Sequence, residues 1–323
     1  MLGYMEAAKE FFFRNSAVDM DLFIASISGE ERCYRVWNML NERDMTVNQK
    51  IIFYFEEVIR SLESGGEQKY DELFNVNEKE KMHSILYDEI SGLAALEECL
   101  NLDDRDISNS KILLDISTMT KPYFFIIIQY LINEKKCTSL HLAYTEPQSY
   151  YQLQEGGYLF TRGTSRSSNI PAYSGMKDVS KKTALVILLG FEGERSSEVV
   201  RSVDPDVTIP VNGFPAYMPK FKDISLLQNE EILKEPETLY NLRYAPAKDP
   251  FETKIVLEEI YAEYRDHYNI CISPLGTKPM ALGACLFALK HPDVSVIYPY
   301  PREYNFKSSE RYSDTWIYHV EII

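Results

Sequence analysis

Short runs along the chain read as strands, because apolar residues fill them or alternate within them, and the stretches between carry apolar residues at helical spacing. The strands expected are 22–28, 111–116, 139–144, 184–189, 268–272, 294–300 and 315–323. Residues 4–15 set Tyr4, Ala7, Ala8, Phe11 and Phe12 on one stripe and are expected to be helical. Helices are also expected after Arg32, where Val36, Trp37 and Leu40 share a face, and over 49–64 and 78–100, parted by the polar Glu63-Ser64-Gly65-Gly66-Glu67 turn. Tyr123 to Ile132 and Met280 to Leu289 are apolar on every side, as in helices packed deep against a sheet. The helix from Asp249 carries its own start signals: Asp249 as cap, Pro250 at the first position and Glu252 three residues after the cap. Strand alternating with helix implies parallel sheets covered by helices, an α/β protein.

The pattern occurs twice. Phe23-Ile24-Ala25-Ser26-Ile27-Ser28-Gly29-Glu30-Glu31-Arg32 parallels Val186-Ile187-Leu188-Leu189-Gly190-Phe191-Glu192-Gly193-Glu194-Arg195. Asp115-Ile116-Ser117-Thr118-Met119-Thr120-Lys121-Pro122 parallels Ile272-Ser273-Pro274-Leu275-Gly276-Thr277-Lys278-Pro279, and the Tyr144, Pro147, Tyr150 spacing recurs at Tyr298, Pro301 and Tyr304. The interval from Arg to Lys runs from 32 to 121 in the first half and from 195 to 278 in the second. Three landmarks in one order at nearly one spacing indicate an internal duplication. The fold expected is two tandem Rossmann-like parallel-sheet units related by a pseudo-twofold. The first spans 1–155 with its N-terminal helix, the second 183–323. The Gly- and Ser-rich stretch 156–182 between them reads as a linker, its Arg162 and Arg166 either solvated or reaching a ligand. Residues 204–245, with Pro205, Pro210, Pro215 and Pro219, read as a long loop of the kind that serves as a lid.

Composition limits the chemistry. A net charge of −15 over 323 residues argues against a general nucleic-acid surface, because such affinity comes from Lys and Arg neutralising phosphates. A small anion in a local positive pocket remains compatible. The five cysteines are scattered and odd in number, which points to a reducing cytoplasm. No stretch approaches the roughly 20 apolar residues of a membrane span, and no signal peptide opens the chain. The histidines lack metal-ligand spacing, and neither phosphate-loop nor dinucleotide fingerprints occur, so no metal and no cofactor are expected.

The two corners carry the candidate site. Pro279 suits the first helical position, which makes Lys278 the cap, where its ammonium opposes the helix dipole. A bound phosphate or carboxylate removes the conflict, with Thr277, Lys278 and free backbone N–H groups converging on it. All three landmarks follow strands, so each half is expected to bring them to one sheet edge, where ligands collect in doubly wound folds. Arg32, Arg195, Lys121 and Lys278 would supply cations there, with Gly190 and Glu194 in the first loop of the second half. Tyr298, Tyr304 and their neighbours could stack on bases.

A strand, a Gly-Thr-Lys-Pro-Met corner and an apolar helix resembles the ligand corner of CRISPR-associated Rossmann-fold (CARF) domains, and two such units in one chain resemble the SAVED domains of bacterial antiphage signalling. The resemblance covers about a third of each half. It implies paired units binding a cyclic oligonucleotide, with contacts from Ser273, Gly276, Thr277 and Lys278 in the second half and from Ser117, Thr118, Thr120 and Lys121 in the first. Met119 departs from the pattern by standing where the second corner has Gly276. No effector domain is recognisable, so output would pass through an effector protein partner or be chemistry within the fold. Three readings stay open: a sensor or regulatory subunit for a nucleotide-type anion, an enzyme cleaving such a ligand, and a scaffold subunit. The Asp115 carboxylate near the first corner makes the second the expected main anion site.

Overall fold

The computed structural model describes residues 2–14, 19–55, 82–85, 106–151, 160–305 and 307–322. The chain divides into two units, one made of Met1–Tyr151 with Phe306–Ile323 and the other of Gln152–Asn305.

The first unit contains β1 (Leu2–Ala7), α1 (Ala8–Arg14), β2 (Met20–Ser26), α2 (Arg35–Asn41), β3 (Val47–Phe55), β4 (Met82–Ile85), β5 (Ile112–Asp115), α3 (Lys121–Gln129), β6 (Ser139–Tyr150) and β13 (Ser309–Glu321). Its sheet runs β1-β13-β6-β5-β2-β3-β4. The second unit contains β7 (Thr161–Asn169), β8 (Lys182–Leu188), α4 (Gly193–Val203), β9 (Val207–Gly213), α5 (Pro219–Gln228), α6 (Glu230–Leu233), α7 (Pro236–Tyr240), β10 (Arg243–Ala245), α8 (Pro250–Tyr264), β11 (Tyr268–Pro274), α9 (Lys278–Lys290) and β12 (Ser295–Tyr304). Its sheet runs β10-β9-β8-β11-β12-β7.

Setting β4-β3-β2-β5-β6-β13 against β10-β9-β8-β11-β12-β7 gives one topology twice. Five parallel strands are followed by an antiparallel sixth. Lys121 opens the helix after β5 and Lys278 the helix after β11, so the two corners are topological equivalents. The chain is therefore a doubly wound α/β protein of two Rossmann-like units. Strand order reverses between β2 and β5 and between β8 and β11, where such folds keep their ligand crevice.

The sixth strands are reciprocal. β7 follows β6 in the chain yet pairs with β12, while β13 follows β12 yet pairs with β6. The unit limits thus differ from a division into 1–155, a linker and 183–323. Within the supposed linker, 161–169 is a strand. It sits at a sheet edge with half-buried or exposed residues, so no apolar run betrays it. The last strand completes the first sheet, burying Ile317, Tyr318 and Val320 beside β6.

Other elements also differ from the sequence reading. Residues 2–7 pair with β13 as a strand before the chain turns into α1, whose Phe11 and Phe12 are buried. Residues 47–55 form β3 where a helix was expected; Ile51, Ile52 and Phe53 are a continuous buried run, which periodicity alone does not separate from a helix. Within 78–100 the described residues 82–85 are a strand, and the remainder lies outside the described residues, as do 56–64. The Pro-rich 204–245 stretch holds β9, three helices and β10. Pro210 is tolerated in β9 because β10 pairs only with Val211–Gly213, so no neighbour on that side needs its missing N–H. Cys33, Cys137, Cys271 and Cys285 are buried free thiols, and burial pushes Cys137 up to about 11, an unreactive form.

Candidate functional site

In the second unit the first loop and the corner meet backbone to backbone. A Cβ added to Gly190 would stand 2.3 Å from the Leu275 carbonyl oxygen, and one added to Gly276 would stand 3.2 Å from the Leu189 oxygen. Only a residue without a side chain allows the approach at Gly190, while at Gly276 a Cβ would require its neighbours to give by a few tenths of an ångström. Thr277, not Lys278, is the helix cap: its hydroxyl accepts the Met280 N–H at 3.3 Å and donates to the Ala247 carbonyl at 2.6 Å. Lys278 and Pro279 are then the first two residues of α9, and no acidic residue lies in its first turn. Ser273 at the end of β11 is fully buried, and its hydroxyl has no hydrogen-bond partner.

The first corner is held by side-chain bonds. The Thr118 hydroxyl donates to the Ser26 carbonyl at 2.7 Å, tying the corner to the end of β2. The Ser117 hydroxyl donates to Asp115 and accepts the Thr145 N–H at 2.8 Å. Thr120 caps α3 by position, but its buried hydroxyl makes no capping bond and has no partner; Lys121 and Pro122 follow it. Counting back from the lysines, Asp115 corresponds to Ile272, so a buried carboxylate stands six residues before one lysine and an isoleucine before the other.

The two arginines are engaged elsewhere. Arg195 donates to Pro299 O at 2.7 Å and to Glu192 at 3.0 Å, with its guanidinium 4.8 Å from the centre of the Tyr298 ring. Arg32 donates to Thr145 O at 3.2 Å and to Glu30 at 2.7 Å. Glu192 also accepts from Thr161, the first residue of β7, at 2.6 Å, and Glu30 from the hydroxyl of Ser308, just before β13, at 2.7 Å. Burial works against these charges, but Tyr298 and Glu192 hold Arg195, and Glu30 holds Arg32, above the ordinary arginine range. Arg32 and Arg195 are thus staples, Arg32 to β6 and Arg195 to β12. Tyr298 is buried beneath Arg195, with its hydroxyl 3.4 Å from that of Tyr304, and Glu194 is exposed on α4. Of the predicted residues, the fold gathers Gly190, Gly276, Thr277 and Lys278 at one edge. The Arg195, Tyr298 and Tyr304 group is a packed neighbour of that edge.

Periodicity did not mark the loops after β9 and β10, which complete this edge. Ala247 O accepts from Tyr217 OH at 3.1 Å as well as from Thr277, and Ala247 N donates to Pro215 O at 2.9 Å. Lys248 Nζ lies 5.3 Å from the Tyr217 ring centre. The density of prolines and aromatics in 210–219 was the available signal. Among the described residues no cluster of three His, Cys, Asp or Glu could hold a metal, and no helix is long and apolar enough to cross a membrane.

No protein-family model and no curated protein matches the chain. Solved structures similar to it include a functionally unknown protein of Pseudomonas aeruginosa (10% identity, 89% of this chain and 95% of that one, TM-score 0.24). A putative universal stress protein of the same species gives 11% identity over 88% of this chain and 95% of that one, with a TM-score of 0.26. The cytoplasmic domain of a prokaryotic cation chloride cotransporter gives 9% identity over 87% and 95%, with a TM-score of 0.22. Likeness at this level carries no argument about function.

Proposed function

We propose that the chain binds a small anionic nucleotide-type ligand, a cyclic oligonucleotide by the CARF and SAVED resemblance, and serves as a sensor or regulatory subunit in bacterial defence. The observation that carries this reading is the second corner. A lysine opens a thirteen-residue apolar helix, against the dipole and without an acid in the first turn, at the point where strand order reverses. The Ser273 hydroxyl, five residues before Lys278 in the chain, is buried and lacks a protein partner, which supports a polar ligand at this corner. The first corner, with its carboxylate, is secondary.

Mass spectrometry of small molecules carried through native purification tests the reading, followed by calorimetry against a panel of cyclic di-, tri- and tetranucleotides. Saturable binding of one of them is expected. Failure of every phosphate-bearing compound to bind would remove the proposal.

A further inference from the structure

The loops after β9 and β10 build an open aromatic face bordered by lysines, and we propose that it receives the base of a nucleotide whose phosphate lies at the Thr277-Lys278 corner. This rests on the reading of that corner as an anion site and adds a contact of different chemistry.

Phe214 follows β9 directly, and its N–H donates to Ala245 O at 2.7 Å. Its ring meets Tyr244 edge to face, with centroids 6.1 Å apart. Both rings are on the surface, Phe214 52% exposed and Tyr244 45%, with Met218 at 40%. Grouped exposed apolar side chains of this kind mark a binding surface more often than solitary ones do. Lys222 Nζ stands 5.6 Å from the Phe214 ring centre and Lys248 Nζ 5.3 Å from that of Tyr217, so the electron-rich ring faces already attract cations. A nucleotide offers a flat base to the rings and its phosphate to the Thr277-Lys278 corner.

The face is tied to the corner. Ala247, between Tyr244 and Lys248 in sequence, binds Pro215, Tyr217 and Thr277 through its backbone. A Cβ on Gly213 would meet Ala247 Cβ at 3.3 Å and Met280 Sδ at 3.4 Å, so the Ala247 and Met280 side chains bring the Lys248 loop and α9 close against the end of β9. Two carboxylates of these segments have partners: Asp249 accepts the Phe251 and Glu252 N–H groups as the cap of α8, and Asp223 pairs with Lys222 at 3.3 Å. A platform held in place binds without first being ordered.

The test is calorimetry of the full chain at low ionic strength with adenosine 5′-monophosphate and ribose 5-phosphate, which differ by the base. The wild type should bind the nucleotide about tenfold more tightly. Phe214→Ala and Tyr244→Ala should each bring the two affinities together without changing ribose 5-phosphate binding, whereas Lys278→Ala should weaken both probes alike. Melting temperatures check that these surface variants fold. An unchanged preference for the nucleotide in both aromatic variants overturns the base platform and leaves the anion corner standing. Absence of binding by either probe to the wild type overturns both.

Discussion

Arg195 donates from Nη2 to the Pro299 carbonyl oxygen at 2.7 Å, so the start of α4, just after β8, is fastened to β12. The first unit makes the same connection from Arg32 to Thr145. The repetition of this bond, with a glutamate bound to each arginine, gives both arginines a packing role.

Arg195→Ala is therefore expected to destabilise the second unit by about 3 kcal/mol, since it strands Glu192 and a buried carbonyl. Anion binding by the fraction that remains folded should be unchanged. Urea unfolding and calorimetry on the same sample decide it. A variant of normal stability that has lost binding would return Arg195 to the ligand site.

The reciprocal sixth strands lead to a second expectation. Residues 152–305 contain every strand of the second sheet, whereas residues 1–151 lack β13, the partner of both β6 and β1. The fragment 152–305 should melt cooperatively by circular dichroism. The fragment 1–151 should do so only after a peptide of residues 306–323 is added, and cooperative melting without that peptide would refute the strand assignment.

Much of this architecture was legible in the chain. The buried runs of β2, β5, β8 and β11 and the apolar α3 and α9 announced themselves because their burial on all sides requires unbroken hydrophobicity. β7 did not, because an edge strand needs no apolar pattern, and nothing local in residues 309–321 says which sheet they complete. At the site, the Thr-Lys-Pro corners were plain from spacing. That the Thr277 hydroxyl is committed to Ala247, or that Arg32 and Arg195 are buried, depends on contacts between residues far apart in sequence.

A third expectation concerns pH. His141 on β6 lies 4.8 Å from the His319 ring and 5.2 Å from Phe11, and burial, then the charges of His319 and Lys111, push it down from 6.5 to about 4. Burial also lowers His319, against the pull of Glu6, which it meets at 2.6 Å. Between about 4 and 6.5 the unfolded chain holds the proton that the folded chain refuses, so stability should fall as pH drops through that window and be insensitive to this group above it. Melting temperatures across the window should fall less steeply for His141→Gln than for the wild type. Parallel slopes would show that His141 does not set the acid response.

The last expectation ranks the two corners. Lys278 opens α9 beside Gly276 with no acid in the turn, whereas Lys121 opens α3 six residues after the buried Asp115, whose charge opposes an incoming phosphate. Losing a charge-assisted contact at Lys278 should cost about 1.5–3 kcal/mol of anion binding, a factor of roughly ten to a hundred or more. Melting of the ligand-free Lys278→Ala protein should be unchanged or slightly higher, because a cation has been removed from a helix N-terminus. Lys121→Ala should weaken binding less. Calorimetry of both variants with one ligand separates the outcomes. Equal losses would mean that the corners contribute alike, a larger loss at Lys121 would reverse the ranking, and a drop in the melting temperature of the empty Lys278→Ala protein would make that lysine structural.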